Sequence, residues 1–194
     1  MNGGMVETAS ERSVTSLSND DIIIRLRYTV NHLSRWLSPI HEDIKLTRSP
    51  HRDEPSVKDL VMRMRDHELE VYPRLYAMSS QARPNLDALP PVTRTEADLA
   101  FDRQARTFEV MAEFRRLRQS TTSLLRTLPN DAWQRDGISR SRHDTTIRQT
   151  AEFLVLADQR HLAEVDRALA RSGARAGIAK ASQAGLEDLL KLAR

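Results

Sequence analysis

Cysteine is absent from this chain of 194 residues, which excludes thiolate nucleophiles, CxxC redox chemistry, iron–sulfur ligation and disulfide bonds together. Glycine is nearly as scarce. Gly3, Gly4, Gly137, Gly173, Gly177 and Gly185 fall into no GxGxxG, GxxxxGKS or GxSxG spacing, so the common nucleotide folds and the α/β-hydrolases lack their signatures. Long apolar runs are missing too: nothing approaches the ~20 residues of a membrane span, and the first nineteen residues hold no apolar stretch of the kind found in signal peptides. Lysine is rare, 4 of the 30 basic residues, and the 26 arginines against 27 acidic residues leave a net charge of +3. The signs alternate without forming blocks, so no nucleic-acid footprint is expected. These absences lead us to expect a cytoplasmic protein with neither nucleic acid nor membrane as partner, and with no cofactor.

What the sequence does contain is helical periodicity. Apolar residues make up 39% of the chain, enough for one sizeable core. Residues 1–19 are polar, without periodicity, and read as a flexible tail. Ile23, Leu26, Val30, Leu33 and Leu37 then recur at spacings of three and four, predicting a helix over 20–37 capped by Asn19 or Asp20. Pro39, Pro50 and Pro55 make the next stretch a long irregular connection. Ser56 with Asp59 has the form of a capping box opening a second helix over 56–79, which Pro73 should kink. Pro84, Pro90 and Pro91 mark a second long loop. Thr95 with Asp98 opens a third helix over 95–128, and its apolar face changes side: Phe101, Ala105, Phe108 and Ala112 lie opposite Val110, Phe114, Leu117, Thr121, Leu124 and Leu128. Either the helix is interrupted near Met111, or its early turns pack on the loops or on a second subunit. Pro129, Trp133 and Gly137 belong to a third connection, and a fourth helix runs over 145–171 to the stop at Ser172–Gly173. Residues 173–194 form a C-terminal extension in which Leu186, Leu189, Leu190 and Ala193 predict a short helix. With no alternating β-branched run, the class is all-α: a four-helix bundle over 20–172 with long crossover loops.

Polar residues interrupt the apolar faces. Asp158 falls inside the stripe of Ile147, Ala151, Leu162, Val165 and Leu169, with His161 at its edge; Glu68 falls inside the face of Met64, Val71 and Leu75, with His67 beside Leu60. A buried carboxylate must pair, coordinate a metal or face a wet cavity. Three readings follow. In the first, Glu68, Asp158, His161 and Arg63 share one cavity between the second and fourth helices and bind, or bind and transform, a small polar molecule. Glu68 or Asp158 is then the general base and His161 the general acid/base, with Arg63 as anion clamp and His67 and Arg118 as further ligand contacts. The second has His67, Asp158 and His161 holding a metal. The third is a noncatalytic interaction protein whose carboxylates pair with Arg63, Arg115 or Arg118.

The order of these elements resembles the DinB/YfiT-like superfamily, also called S-transferase-like. The similarity lies in residues 56–68, opening Ser56-Val57-Lys58-Asp59-Leu60 and closing His67-Glu68; in Phe114 through Leu128; in Trp133-Gln134-Arg135-Asp136-Gly137; and in Ala157-Asp158-Gln159-Arg160-His161-Leu162. It covers about residues 20–170. The resemblance implies a four-helix bundle, commonly a homodimer, with one His of the second helix and two of the fourth on a divalent metal, and thiol-dependent transferase, isomerase or hydrolase chemistry among relatives. Carried over residue by residue, the metal positions fall on Arg63, Ala157 and His161. Only His161 can ligate, so the expected site has no metal.

Overall fold

The computed structural model describes residues 14–140 and 145–176. Its helices are α1 (Asn19–Leu37), the short α2 (Ile44–Thr47), α3 (Val57–Ser80), α4 (Glu96–Gln104), α5 (Thr107–Thr127) and α6 (Ile147–Arg171), with two-residue strands β1 (Asp136–Gly137) and β2 (Thr145–Thr146). The expected C-terminal helix falls outside the described residues. The class is all-α, as the periodicity predicts. Among the described residues no helix is long and apolar enough to cross a membrane.

Three of the long helices start where side-chain chemistry sets them. Ser56 and Asp59 form the expected capping box on α3, and Thr146 with Gln149 forms one on α6. On α1 the cap is Ser18 with Asp21 rather than Asn19 or Asp20; a hydroxyl three residues before a carboxylate closes both halves of the box, which neither expected residue does. Within the stretch expected to be a tail, Val14 is fully buried, and Arg148 donates to the carbonyls of Thr15 and Leu17. α3 runs unbroken through Pro73.

The expected third helix is two helices. Thr95 and Asp98 cap α4, which ends at Ala105, and Arg106 leads directly into α5. The break lies six residues before Met111 because distant groups hold it open. The Lys58 ammonium donates to the Ala105 carbonyl at 2.6 Å, and Asp43 accepts the Thr107 backbone N–H at 3.0 Å, satisfying backbone groups that a continuous helix would have paired internally. The change of apolar face, one basis for expecting a dimer, is therefore the junction of two elements.

Hydrogen bonds between helices give their directions. Thr29–Asp158 and Asn19–Arg148 make α1 and α6 parallel; Arg65–Glu113 and Arg118–Glu68 make α3 and α5 parallel; Ser34–Arg115 and Leu26–Arg118 make α1 and α5 antiparallel. Contacts are concentrated in the pairs α3/α5, α3/α6, α1/α5 and α1/α6, so α1 faces α3 across one diagonal and α5 faces α6 across the other. The order is up, down, down, up. Residues 81–106, carrying α4, must therefore return the length of the bundle, roughly 30 Å for a helix of this size. A second ion network fastens that crossover: Arg65, 1% exposed, grips Asp102 of α4 with both terminal nitrogens at 2.6 and 2.8 Å and also reaches Asp66 and Glu113. At the other end β1 and β2 pair antiparallel. Gly137 is required there, since a Cβ would lie 2.7 Å from the Leu86 side chain.

Two apolar clusters fill the bundle. One gathers Leu33, Trp36, Leu60, Met64, Phe114, Val165 and Leu169; the other gathers Ile22, Leu26, Leu75, Met78, Trp133, Ile147 and Leu154. A polar layer lies between them.

Candidate functional site

The polar layer is centred on Arg118 of α5, which is 2% exposed and bonded to every other long helix. Its Nε donates to Glu68 of α3 at 2.9 Å, a terminal nitrogen donates to Asp158 of α6 at 3.0 Å, and the other donates to Asp158 and to the Leu26 carbonyl of α1. Thr29 of α1 adds its hydroxyl to Asp158 at 2.7 Å. Burial opposes the charge on Arg118, and Asp158 and Glu68 more than offset it, so its pKa is raised and the guanidinium stays charged. Glu68 is fully buried, and its Oε1 has no hydrogen-bond partner.

The expected single cavity therefore separates into two places. Glu68 and Asp158 are buried around Arg118, whereas Arg63 is exposed at the cleft between α3 and α6. Helix geometry explains the separation: Arg63 and Glu68 are five residues apart, or about 140° on the helical wheel, so they cannot face the same line. In this layer Asp158 is bonded to Arg118 through both oxygens, and Glu68 through one only.

Arg63, His67 and His161 instead lie along the open α3/α6 seam. The rings of His67 and His161 meet edge to face with centroids 6.3 Å apart, both half-buried, and the buried Nδ1 of His161 has no partner. Burial lowers the pKa of each, only partly opposed by Asp158, with Glu68 and Glu70 also acting on His67 and Glu164 on His161. One turn further along both helices is a cleft of about 260 Å³ lined by Leu60 and Arg63 of α3, Glu164, Arg167 and Arg171 of α6, and the loop residues Pro50, Glu54 and Pro55. Arg171 is paired with Glu54, while the buried Oε2 of Glu164 has no partner. Glu164 and Arg167 had no signal in the sequence, because a charged residue on a bundle helix is ordinarily a solvated one.

The metal expected of the superfamily does not fit these residues. Arg63 is a cation, Ala157 has no side-chain donor atom, and the Asp158 carboxylate is taken by Arg118 and Thr29. Among the described residues no three His, Cys, Asp or Glu side chains come together to hold an ion.

No protein-family model matches the chain, and no curated protein matches it in sequence. Among solved structures it is similar to YfiT from Bacillus subtilis, described as a probable metal-dependent hydrolase with an unusual four-helix bundle topology. The two share 20% identity and superpose with a TM-score of 0.67 over 81% of this chain and 91% of that one. With its up-down-down-up order and long crossover, the chain has the DinB/YfiT-like four-helix-bundle fold.

Proposed function

We propose that this chain is a metal-independent binding protein for a small amino- or hydroxycarboxylate, held at the α3/α6 seam. The observation that carries the reading is the His67–His161 pair, half-buried one turn from the cleft, with a buried imidazole nitrogen left unpartnered. Unpaired buried polar atoms are uncommon in folded proteins, and each calls for a partner such as an ordered water, an ion or a ligand. Arg63 and Arg167 supply cations for a carboxylate, while the free Glu164 oxygen and the neutral imidazoles suit a hydroxyl or amino donor. Because burial holds both histidines neutral near pH 7, they act as hydrogen-bonding groups and do not add charge.

The hydrolase description belongs to the similar structure. In this chain two of the three superfamily metal positions lack a donor, and the two buried carboxylates are bonded to Arg118. His161 is the remaining group suited to proton transfer, so any chemistry at the seam would pass through it. The closed Arg118 layer also favours a noncatalytic interaction protein, and that second reading is the one left if the seam binds nothing.

Native mass spectrometry of freshly purified protein tests the proposal. The expected result is a small-molecule adduct that disappears in Arg63→Ala and His161→Ala. Absence of an adduct, together with unshifted His67 and His161 imidazole resonances on titration with lactate, malate and alanine, would overturn it.

A further inference from the structure

The antiparallel α1/α5 seam carries a separate groove of about 590 Å³, into which four arginines project: Arg27 from α1 and Arg115, Arg118 and Arg126 from α5. No carboxylate lines it. Arg118 forms the floor, and its nitrogens are committed to Glu68, Asp158 and the Leu26 carbonyl. The other three are exposed. Among the described residues they make no ion pair, and their one side-chain hydrogen bond runs from Arg115 to the Ser34 hydroxyl at 2.8 Å.

Their placement follows from the helix period. Arg115, Gln119, Thr122 and Arg126 stand at steps of four, three and four on one face of α5, so the terminal arginines are about 16 Å apart along the axis. Arg27 faces the interval between them, since α1 runs the opposite way. Three like charges around one concave surface repel each other and concentrate anions there. A single carboxylate would meet only one of them. The guanidinium fork binds phosphate oxygens in pairs, and the span calls for more than one phosphate. On the α1 wall Ile23 and Val30 offer an apolar strip, and the volume is within the ordinary range for small-molecule sites. No aromatic side chain lines the groove, so it lacks the stacking platform of a nucleic-acid strand.

We infer that the α1/α5 groove binds a small organic polyphosphate, with its phosphates on Arg27, Arg115 and Arg126 and its uncharged part against Ile23 and Val30. This site is independent of the α3/α6 seam. Titration calorimetry of the full chain with inorganic tripolyphosphate tests it, with sulfate at matched ionic strength as the reference. The expected result is saturable binding to one site, weakened about tenfold or more by each of Arg27→Ala, Arg115→Ala and Arg126→Ala. Arg116→Ala, outside the groove, and Arg63→Ala, in the other cleft, should leave it unchanged, which separates this site from the seam. Tripolyphosphate that binds no better than sulfate, or that binds the Arg27/Arg115/Arg126 triple-alanine variant as well as the wild type, overturns the inference. The three side chains are exposed, so thermal melts of the variants should match the wild type, and loss of binding then reports the site.

Discussion

At the scale of single residues, the polar layer makes opposite demands on its two kinds of member. Asp158 accepts from both Arg118 and Thr29, so Asp158→Ala leaves a buried guanidinium with one carboxylate fewer and should cost roughly 3–5 kcal/mol in chemical denaturation. An unchanged or raised melting temperature would instead make Asp158 a strained functional group. The histidines behave differently because burial, not a partner, sets their pKa. His32, His67 and His161 are all pushed below the ordinary 6.5; burial acts first on each, Arg35 adds to it on His32, Arg118 acts on His67, and Arg160 acts on His161. The unfolded chain then binds protons that the folded chain refuses. Their contribution is complete above the unfolded value and is lost as pH falls from about 6.5 toward the lowered folded values. Melting temperatures measured across that window should fall with acid, and the fall should be shallower in the His67→Gln/His161→Gln variant. A second loss belongs to Asp102, held below its ordinary 3.8 first by hydrogen bonds from Arg65, and it begins only near that value.

At the scale of elements, the α4/α5 junction and the crossover are where distant contacts overrule local pattern. α4 is nine residues long and buries little apolar surface of its own, so its position depends on the clamp of Asp102 by Arg65 and Arg94. Asp102→Ala should destabilise by about 3–5 kcal/mol, since Arg65 stays buried without its bidentate partner. Hydrogen exchange should show protection lost first in residues 96–104, before α3 or α6. Uniform loss over all helices would mean that the crossover folds only with the whole bundle. The sequence showed that something changes in this stretch through the shift in apolar face, and it showed the cap at Thr95. It could not place the break at Ala105, because Lys58 and Asp43 hold it from far along the chain.

At the scale of the whole molecule, one guanidinium joins four helices between two apolar clusters. A polar layer of this kind adds little net stability, because the cost of removing three charged groups from water offsets most of their attraction. Its effect is to fix which helices neighbour each other: a bundle with α5 turned or shifted by a turn would bury Arg118 without carboxylates. Replacing the set together, as Glu68→Leu/Arg118→Met/Asp158→Leu, should therefore recover most of the stability lost in Asp158→Ala, a non-additivity measurable by urea denaturation. If the triple variant is less stable than Asp158→Ala alone, the layer contributes stability in its own right.

The sequence by itself determined the helical class, the two capping boxes at Ser56 and Thr95 and the list of polar residues that interrupt the apolar faces. Each of these depends on spacings within one turn or one helix, which a linear pattern records. Only the tertiary structure decided how those polar residues are shared out: Glu68 and Asp158 around Arg118, His67 and His161 on the open seam, and Arg63 exposed at the cleft one turn along it. Wheel position tells which side of a helix a residue occupies, but charge pairing depends on which helix stands opposite and in which direction it runs. Here a crossover of residues 81–106 brings α5 parallel to α3, setting Arg118 opposite Glu68, and no local spacing within either helix records that choice.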